Sequence, residues 1–311
     1  IIRAIVNANV REEVPTPYPG PRTNSVGAPI VRLDGAPKVA GSDLFAADDW
    51  PNDALLARAI RSPYPHAAFS FGDLDEYVNE TDGVVAIFTA KDVPGRNCFG
   101  VIPEFIDQPV FAESETRFEG EAVALVVGTA DDIITLDTSN LPITWQKLTD
   151  VITVTEAADE RAPQLHIGRA NNRLTGGYVK SGDVESGFEA ADVVVEGTFT
   201  TGFIEHAYIE PEAGFARRVG DRIEVWACTQ APYMDRNSLA EIMGISKNQI
   251  RIIPSSVGGG FGSKLDLSLQ PFVAIAAWHL KRPVKMVYSR AESMLSTTKR
   301  HPSSIQSMIG A

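Results

Sequence analysis

Apolar and polar positions give this chain three textures. Between Glu12 and Pro29 the residues Pro15, Pro17, Pro19, Gly20, Pro21 and Gly27 leave no stretch for a regular element. Residues 1–30 are therefore expected to form an extended N-terminal arm. From Val31 to about residue 160 short apolar runs alternate with turn residues. Leu55–Arg61 is an apolar run ended by Ser62-Pro63. Gly83–Thr89 and Ala122–Gly128 read as buried strands, because β-branched and small apolar residues follow one another without a polar face. Thr129–Leu136 reads as a helix opening at Asp131-Asp132, and Ile143–Trp145 and Val151–Val154 as short β pieces.

Residues 157–182 are polar and dotted with Gly168, Gly176 and Gly177, the composition of a linker. Beyond it the pattern predicts strands over Asp192–Thr201, Ile204–Ile209, Gly214–Arg218 and Arg222–Ala227, with a turn at Gly220-Asp221. A helix over Asp235–Met243 stops at Gly244. Strands follow at Gln249–Ser255 and Val284–Ser289. Between them, Ser268–Leu280 has helical apolar spacing and ends at Lys281-Arg282-Pro283. No internal repeat is visible. Strands mixed with short helices point to an α/β or α+β fold.

The 311 residues leave room for about two domains. With 44% hydrophobic and 22% charged residues, the chain is neither disordered nor fibrous. No apolar run reaches the ~18 residues of a membrane span, and Ile1–Val6 is too short for a signal peptide. The cytoplasm is the expected location, with the periplasm left open. Cys98 and Cys228 stand far apart and form no C-x-x-C. Two cysteines fall short of the four that a cysteine-held iron–sulfur cluster takes. The net charge of −12 argues against nonspecific nucleic-acid binding. Residues 1–200 carry a balance of −16 and residues 201–311 one of +4, which reads either as a solvated acidic domain beside an ordinary one or as a second part that faces an anionic ligand.

Gly258-Gly259-Gly260-Phe261-Gly262-Ser263-Lys264 is the most unusual local feature. Four glycines in five residues let the backbone take positive φ and approach a ligand closely. Alternatively, the segment is a tight packing turn. It is not a P-loop, because Ser263 separates Gly262 from Lys264. It is not the dinucleotide fingerprint either, because the third glycine's place is Ser263. Glu205, Glu210 and Glu212 alternate with apolar positions, which reads as a strand with a solvated face rather than as an acid–base pair. Trp226–Pro232 takes a strand into a polar turn carrying Gln230.

In order, the chain shows V-R-L-D-G-A-P-K-V-A-G (31–41), R-S-P-Y-P-H-A (61–67), K-D-V-P-G-R-N (91–97), R-F-E-G-E-A-V-A (117–124) and G-D-V (182–184). E-H-A-Y-I-E-P (205–211), C-T-Q (228–230), G-G-G-F-G-S-K (258–264), R-P-V-K (282–285) and R-H-P (300–302) follow. This series resembles the xanthine dehydrogenase/aldehyde oxidase family of molybdenum hydroxylases. The resemblance implies an α+β chain. An α/β-hammerhead domain would occupy 31–160, and the first part of a mixed α+β molybdopterin-binding domain 161–311.

It also implies an oxidoreductase that hydroxylates an aldehyde or N-heterocycle with water as oxygen source. The alternative is a non-catalytic relative or assembly subunit that keeps the fold without the metal. The implied cofactor is molybdopterin carrying Mo, as such or as the cytosine dinucleotide. 2Fe-2S and FAD would sit on other domains or subunits, and the remainder of the molybdopterin region would be a further partner. Gln230, Gly260, Phe261 and Gly262 fall at cofactor-binding positions of the family, Gln230 and Phe261 close to the metal. Leu265 takes the place of a purine-gripping glutamate, so aldehydes or other heterocycles are the expected substrates. The family's general base would lie beyond Ala311.

Overall fold

The computed structural model describes residues 31–311; the expected N-terminal arm lies outside the described residues. In chain order come α1 (Gly35–Ala40), β1 (Leu55–Arg61), β2 (Ala67–Phe71), α2 (Leu74–Glu80), β3 (Val84–Thr89), β4 (Glu115–Thr116) and β5 (Ala122–Gly128). Next are α3 (Ala130–Thr135), β6 (Ile143–Lys147), α4 (Val154–Ala157), α5 (Val184–Glu189), β7 (Val194–Thr201), β8 (Ala213–Val219) and β9 (Arg222–Ala227). The last are α6 (Pro232–Met243), β10 (Ile250–Pro254), α7 (Gln270–Leu280), β11 (Val284–Val287), α8 (Arg290–Ser296) and β12 (Ser303–Gly310).

Seven strands form one mixed sheet in the order β10-β9-β8-β11-β1-β5-β3. It takes strands from both ends of the described chain. The join is the parallel pairing of β1 with β11, Leu55 opposite Val284 and Leu56 opposite Lys285. All seven residues of β5 are buried. Its Leu125 and Val127 point into the core shared with α6 and α7, while Val123 and Val126 point into a second core with Phe69, Ile133 and Leu141. A strand covered on both faces must be apolar at every position, which is why this segment is an unbroken hydrophobic run. Its leucine and three valines contribute about 1.5–3 kcal/mol each by burial. Helix α7 is buried along Gln270–Ala277 and lies against β8, β9 and β11. Its apolar residues therefore surround it instead of forming a stripe.

A three-stranded sheet, β4-β2-β6, backs the second core. His66 fastens its edge: Nδ1 meets the Thr149 carbonyl at 2.5 Å and Nε2 meets Glu115 at 3.0 Å. Separately, β7 and β12 pair over eight residues as an antiparallel ribbon. Val195, Phe199, Ile305 and Ile309 share one face of it, all exposed.

Two expected strands are absent. Val151–Val154 instead enters α4, because the Thr153 hydroxyl accepts from Glu156 N–H (3.2 Å) and the Glu156 carboxylate accepts from Thr153 N–H (2.9 Å). That reciprocal cap starts a helix. Residues 204–209 form a loop whose one β-type pairing, among the described residues, is the Ile204–Arg300 bridge. Ala207 sits at φ 51°, which interrupts an extended run.

Candidate functional site

Strands β9 and β10 run parallel, so their C-terminal ends open on the same edge of the sheet. Loops at that edge of a parallel pair are where α/β sheets place ligands. The loop after β9 carries Gln230, and the loop after β10 carries Gly258–Lys264. The two are tied together by backbone and side chain. Gln230 N–H donates to the Lys264 carbonyl at 2.9 Å, and Gly262 N–H donates to Gln230 Oε1 at 3.1 Å. With Oε1 occupied, the Gln230 NH₂ has no acceptor among the described residues.

The glycines have a steric reason. A Cβ on Gly260 would stand 2.4 Å from Gln230 Oε1, and one on Gly258 would stand 2.5 Å from Glu210 Cβ. Gly262 takes φ 99° with open space where its Cβ would be. Phe261 has no such freedom, yet it holds φ 51° with 74% of its surface exposed. A bulky residue kept in the left-handed region costs about 1–3 kcal/mol and clusters at ligand sites. Among the described residues, the N–H groups of Gly259, Gly260 and Phe261 donate to no protein acceptor. The loop therefore offers open hydrogen-bond donors beside the free amide of Gln230.

Beneath the loop lies a buried polar assembly that the sequence pattern conceals. Glu210 and Glu212 do not face solvent, contrary to the solvated strand expected there. Glu212 is 1% exposed and bonds the Tyr208 hydroxyl. Glu210 accepts from Gly258 N–H at 2.7 Å and from Lys264 Nζ at 2.8 Å. Burial together with Glu212 pushes the Tyr208 hydroxyl up to about 12. Glu205 pairs with Lys299 at 2.6 Å. A cavity of about 290 Å³ runs along this side of the loop, with Arg61, Phe118, Tyr288 and Lys264 among its walls. Arg61 donates to Glu292 at 2.9 Å and lies 4.9 Å over the Tyr288 ring.

Two further carboxyls lie close by. Asp235, in the first turn of α6, receives Gln270 Nε2 at 3.2 Å on Oδ2 while its buried Oδ1 has no partner. The helix N-terminus favours its charged form. Burial outweighs that and pushes the carboxyl up to about 7. Burial also raises Asp266 to about 6. The folded protein keeps these protons where the unfolded chain, ionising near 3.8, has lost them. Their contribution to stability is therefore fully present below about pH 4, declines as pH rises to 7, and is level above it. Asp235→Asn removes the larger share. Its denaturation midpoint is expected to fall less between pH 5 and pH 8 than that of the unaltered protein. Equal falls in the two would clear Asp235 as the source.

The structure brings Gln230, Gly260, Phe261 and Gly262 into contact. Leu265 follows in a single 3-10 turn, 39% exposed, and makes no hydrogen bond to Gln230. Cys228, just before Gln230, is buried and its thiol is pushed up to about 11 by burial, which makes it unreactive. Among the described residues no group of three His, Cys, Asp or Glu side chains converges as a metal site. Sequence reasoning missed Glu210, Glu212, Lys264, Asp235 and Asp266. The E-P step at 210–211 and the lysine closing the glycine run were the visible traces.

Comparison with known proteins agrees along the chain. The profile of the aldehyde oxidase and xanthine dehydrogenase a/b hammerhead domain matches residues 40–149. That of the molybdopterin cofactor-binding domain matches residues 165–311. The nicotinate dehydrogenase large molybdopterin subunit of Eubacterium barkeri is 36% identical over 92% of this chain and 66% of its own length. A probable xanthine dehydrogenase subunit of Bacillus subtilis is 36% identical over 90% of this chain and 37% of its own. The chain thus spans about two thirds of the first relative and well under half of the second. The aldehyde oxidoreductase of Desulfovibrio gigas superposes with a TM-score of 0.81 at 25% identity, over 90% of this chain and 32% of that one.

Proposed function

The chain belongs to the aldehyde oxidase and xanthine dehydrogenase family of molybdenum hydroxylases, and from that premise we propose that it forms one wall of a molybdopterin site. The observation that carries the reading is the union of Gln230 with the glycine-rich loop. The residues fit such a group. Among the described residues three successive N–H groups and one amide NH₂ have no acceptor, Gly260 leaves the space that a Cβ would fill, and Phe261 is held in strained backbone.

Gln230, Gly260, Phe261 and Gly262 would hold the cofactor, with Gln230 and Phe261 close to the metal. When bound, the cofactor supplies a two-electron oxidation that places oxygen from water on an aldehyde or heterocycle carbon. The chain's own part is to bind and orient. Gln230 Nε2 and the loop N–H groups would donate to the negatively charged part of the bound group, and donors fixed in advance need no rearrangement during reaction.

The similarity to a nicotinate dehydrogenase subunit supports an N-heterocycle as substrate. Electrons would pass to 2Fe-2S and FAD groups on partner domains or subunits. A cytosine dinucleotide form of the cofactor suits the +4 balance of residues 201–311. Further molybdopterin-binding polypeptide, including the general base, would cover the apolar face of the β7–β12 ribbon. We place the assembly in the cytoplasm. No helix among the described residues is long and apolar enough to cross a membrane.

Elemental analysis of the full-length protein in its native assembly, with dye-linked oxidation of aldehydes and pyridine carboxylates, tests this reading. Stoichiometric Mo and oxidation of at least one of these substrates are expected. Native protein lacking Mo would overturn it.

A further inference from the structure

We propose that Lys264 is a positioning residue whose ion pair with Glu210 sets the shape of the glycine-rich loop. Lys264 is 2% exposed at its side chain and Glu210 is 10% exposed. Two bonds from Lys264 reach Glu210, at 2.8 Å to Oε2 and 3.0 Å to its carbonyl, and the ring of Tyr208 lies 4.6 Å away. A buried ammonium needs such partners, because an unpaired charge there is strongly unfavourable.

What distinguishes this pair is where its atoms connect. The Glu210 Oε2 that holds Lys264 also accepts from Gly258 N–H, at the start of the loop, and Gly258 returns its carbonyl to Glu210 N–H at 3.2 Å. The Lys264 carbonyl, at the end of the loop, accepts from Gln230 N–H. One ion pair therefore ties the first glycine to the last loop residue and to the strand end that carries Gln230. Between the ties, a Cβ on Gly259 would stand 2.9 Å from the Tyr208 Cβ, so the loop lies flat against the residue that Lys264 also caps. With both ends and this base fixed, the strained Phe261 backbone has nowhere to relax. Lys264 bonds none of the open donors; it acts through the loop that presents them.

The proposal rests on the reading of the loop as a cofactor wall, but its test reads the loop itself. Hydrogen exchange of the full-length protein, prepared with and without molybdate, is followed in peptides covering 256–264, with 213–227 and 270–280 as controls. In Lys264→Met made without molybdate, exchange of the hydrogen-bonded loop amides, those of Gly258, Gly262 and Ser263, is expected to rise roughly 10-fold or more, with both controls within about 2-fold. The cofactor-loaded variant should also lose Mo faster on dialysis. Unchanged loop exchange, or an equal rise in loop and controls, overturns the proposal. If Lys264→Met does not fold, Glu210→Gln decides. It keeps the shape and both backbone bonds but removes the charge, so a loop-confined rise of about 3-fold or more supports the proposal and none overturns it. If loop exchange responds to these substitutions but molybdate makes no difference to it, the brace stands and the cofactor reading fails.

Discussion

Gln230→Ala is expected to lower turnover by about 10²-fold, the usual loss when one fixed polar donor beside a reacting centre is removed. The side chain is exposed at a strand end and bonds only to Gly262 N–H among the described residues, so its loss opens no core cavity. Folding should therefore change little. The measurement is kcat at saturating substrate, normalised to Mo, on the full-length protein. Because the amide is assigned to orienting the reacting group, the loss should fall on kcat, with KM nearly unchanged. Unchanged turnover at full Mo occupancy would remove Gln230 from the site.

The second large effect concerns Leu265. The family resemblance puts Leu265, an aliphatic side chain beside the glycine-rich loop, where a carboxylate would grip a purine, and we propose that it faces the substrate. A polar ring atom buried against leucine loses its partner, at about 1–3 kcal/mol per group. An aldehyde or a pyridine carboxylate is accordingly expected to exceed xanthine in kcat/KM by about 10²-fold, the equivalent of two such unpaired groups. Leu265→Glu should narrow that ratio by about 10-fold or more, since it restores one partner. Xanthine oxidised as fast as the other substrates by the unaltered protein would show that purine contacts come from other residues.

The glycine-rich loop could be read from sequence because its requirement is local: four small residues in five have few explanations. Strand β5 was legible for a related reason, since burial on both faces leaves a run with no polar position. The β12 strand was not, because serines at 303, 304 and 307 interleave its apolar residues and its partner β7 lies about a hundred residues upstream. Glu210 shows the limit for site residues. In sequence its carboxylate alternates with apolar neighbours as on a solvated strand, and nothing nearby reveals the lysine that buries it. That lysine closes the loop 54 positions later. The proposal of Gln230 comes from the resemblance, for a lone glutamine at a strand end has no chemical signature.

The seam between β1 and β11 sets the order in which the chain can be completed during synthesis. Val284 follows Leu55 by about 230 residues, whereas β5 follows β1 by about 65. The emerging chain can pair β1 with β5 and β5 with β3 early, but the other edge of β1 waits for β11. At translation rates of roughly 5–20 residues per second, that wait is on the order of ten seconds or more. During it, Leu55 and Leu56 border an unpaired strand edge, the kind of template on which chains join wrongly. Production of this protein should therefore be limited by aggregation of nascent chains, with soluble yield rising at lower temperature or with more chaperone.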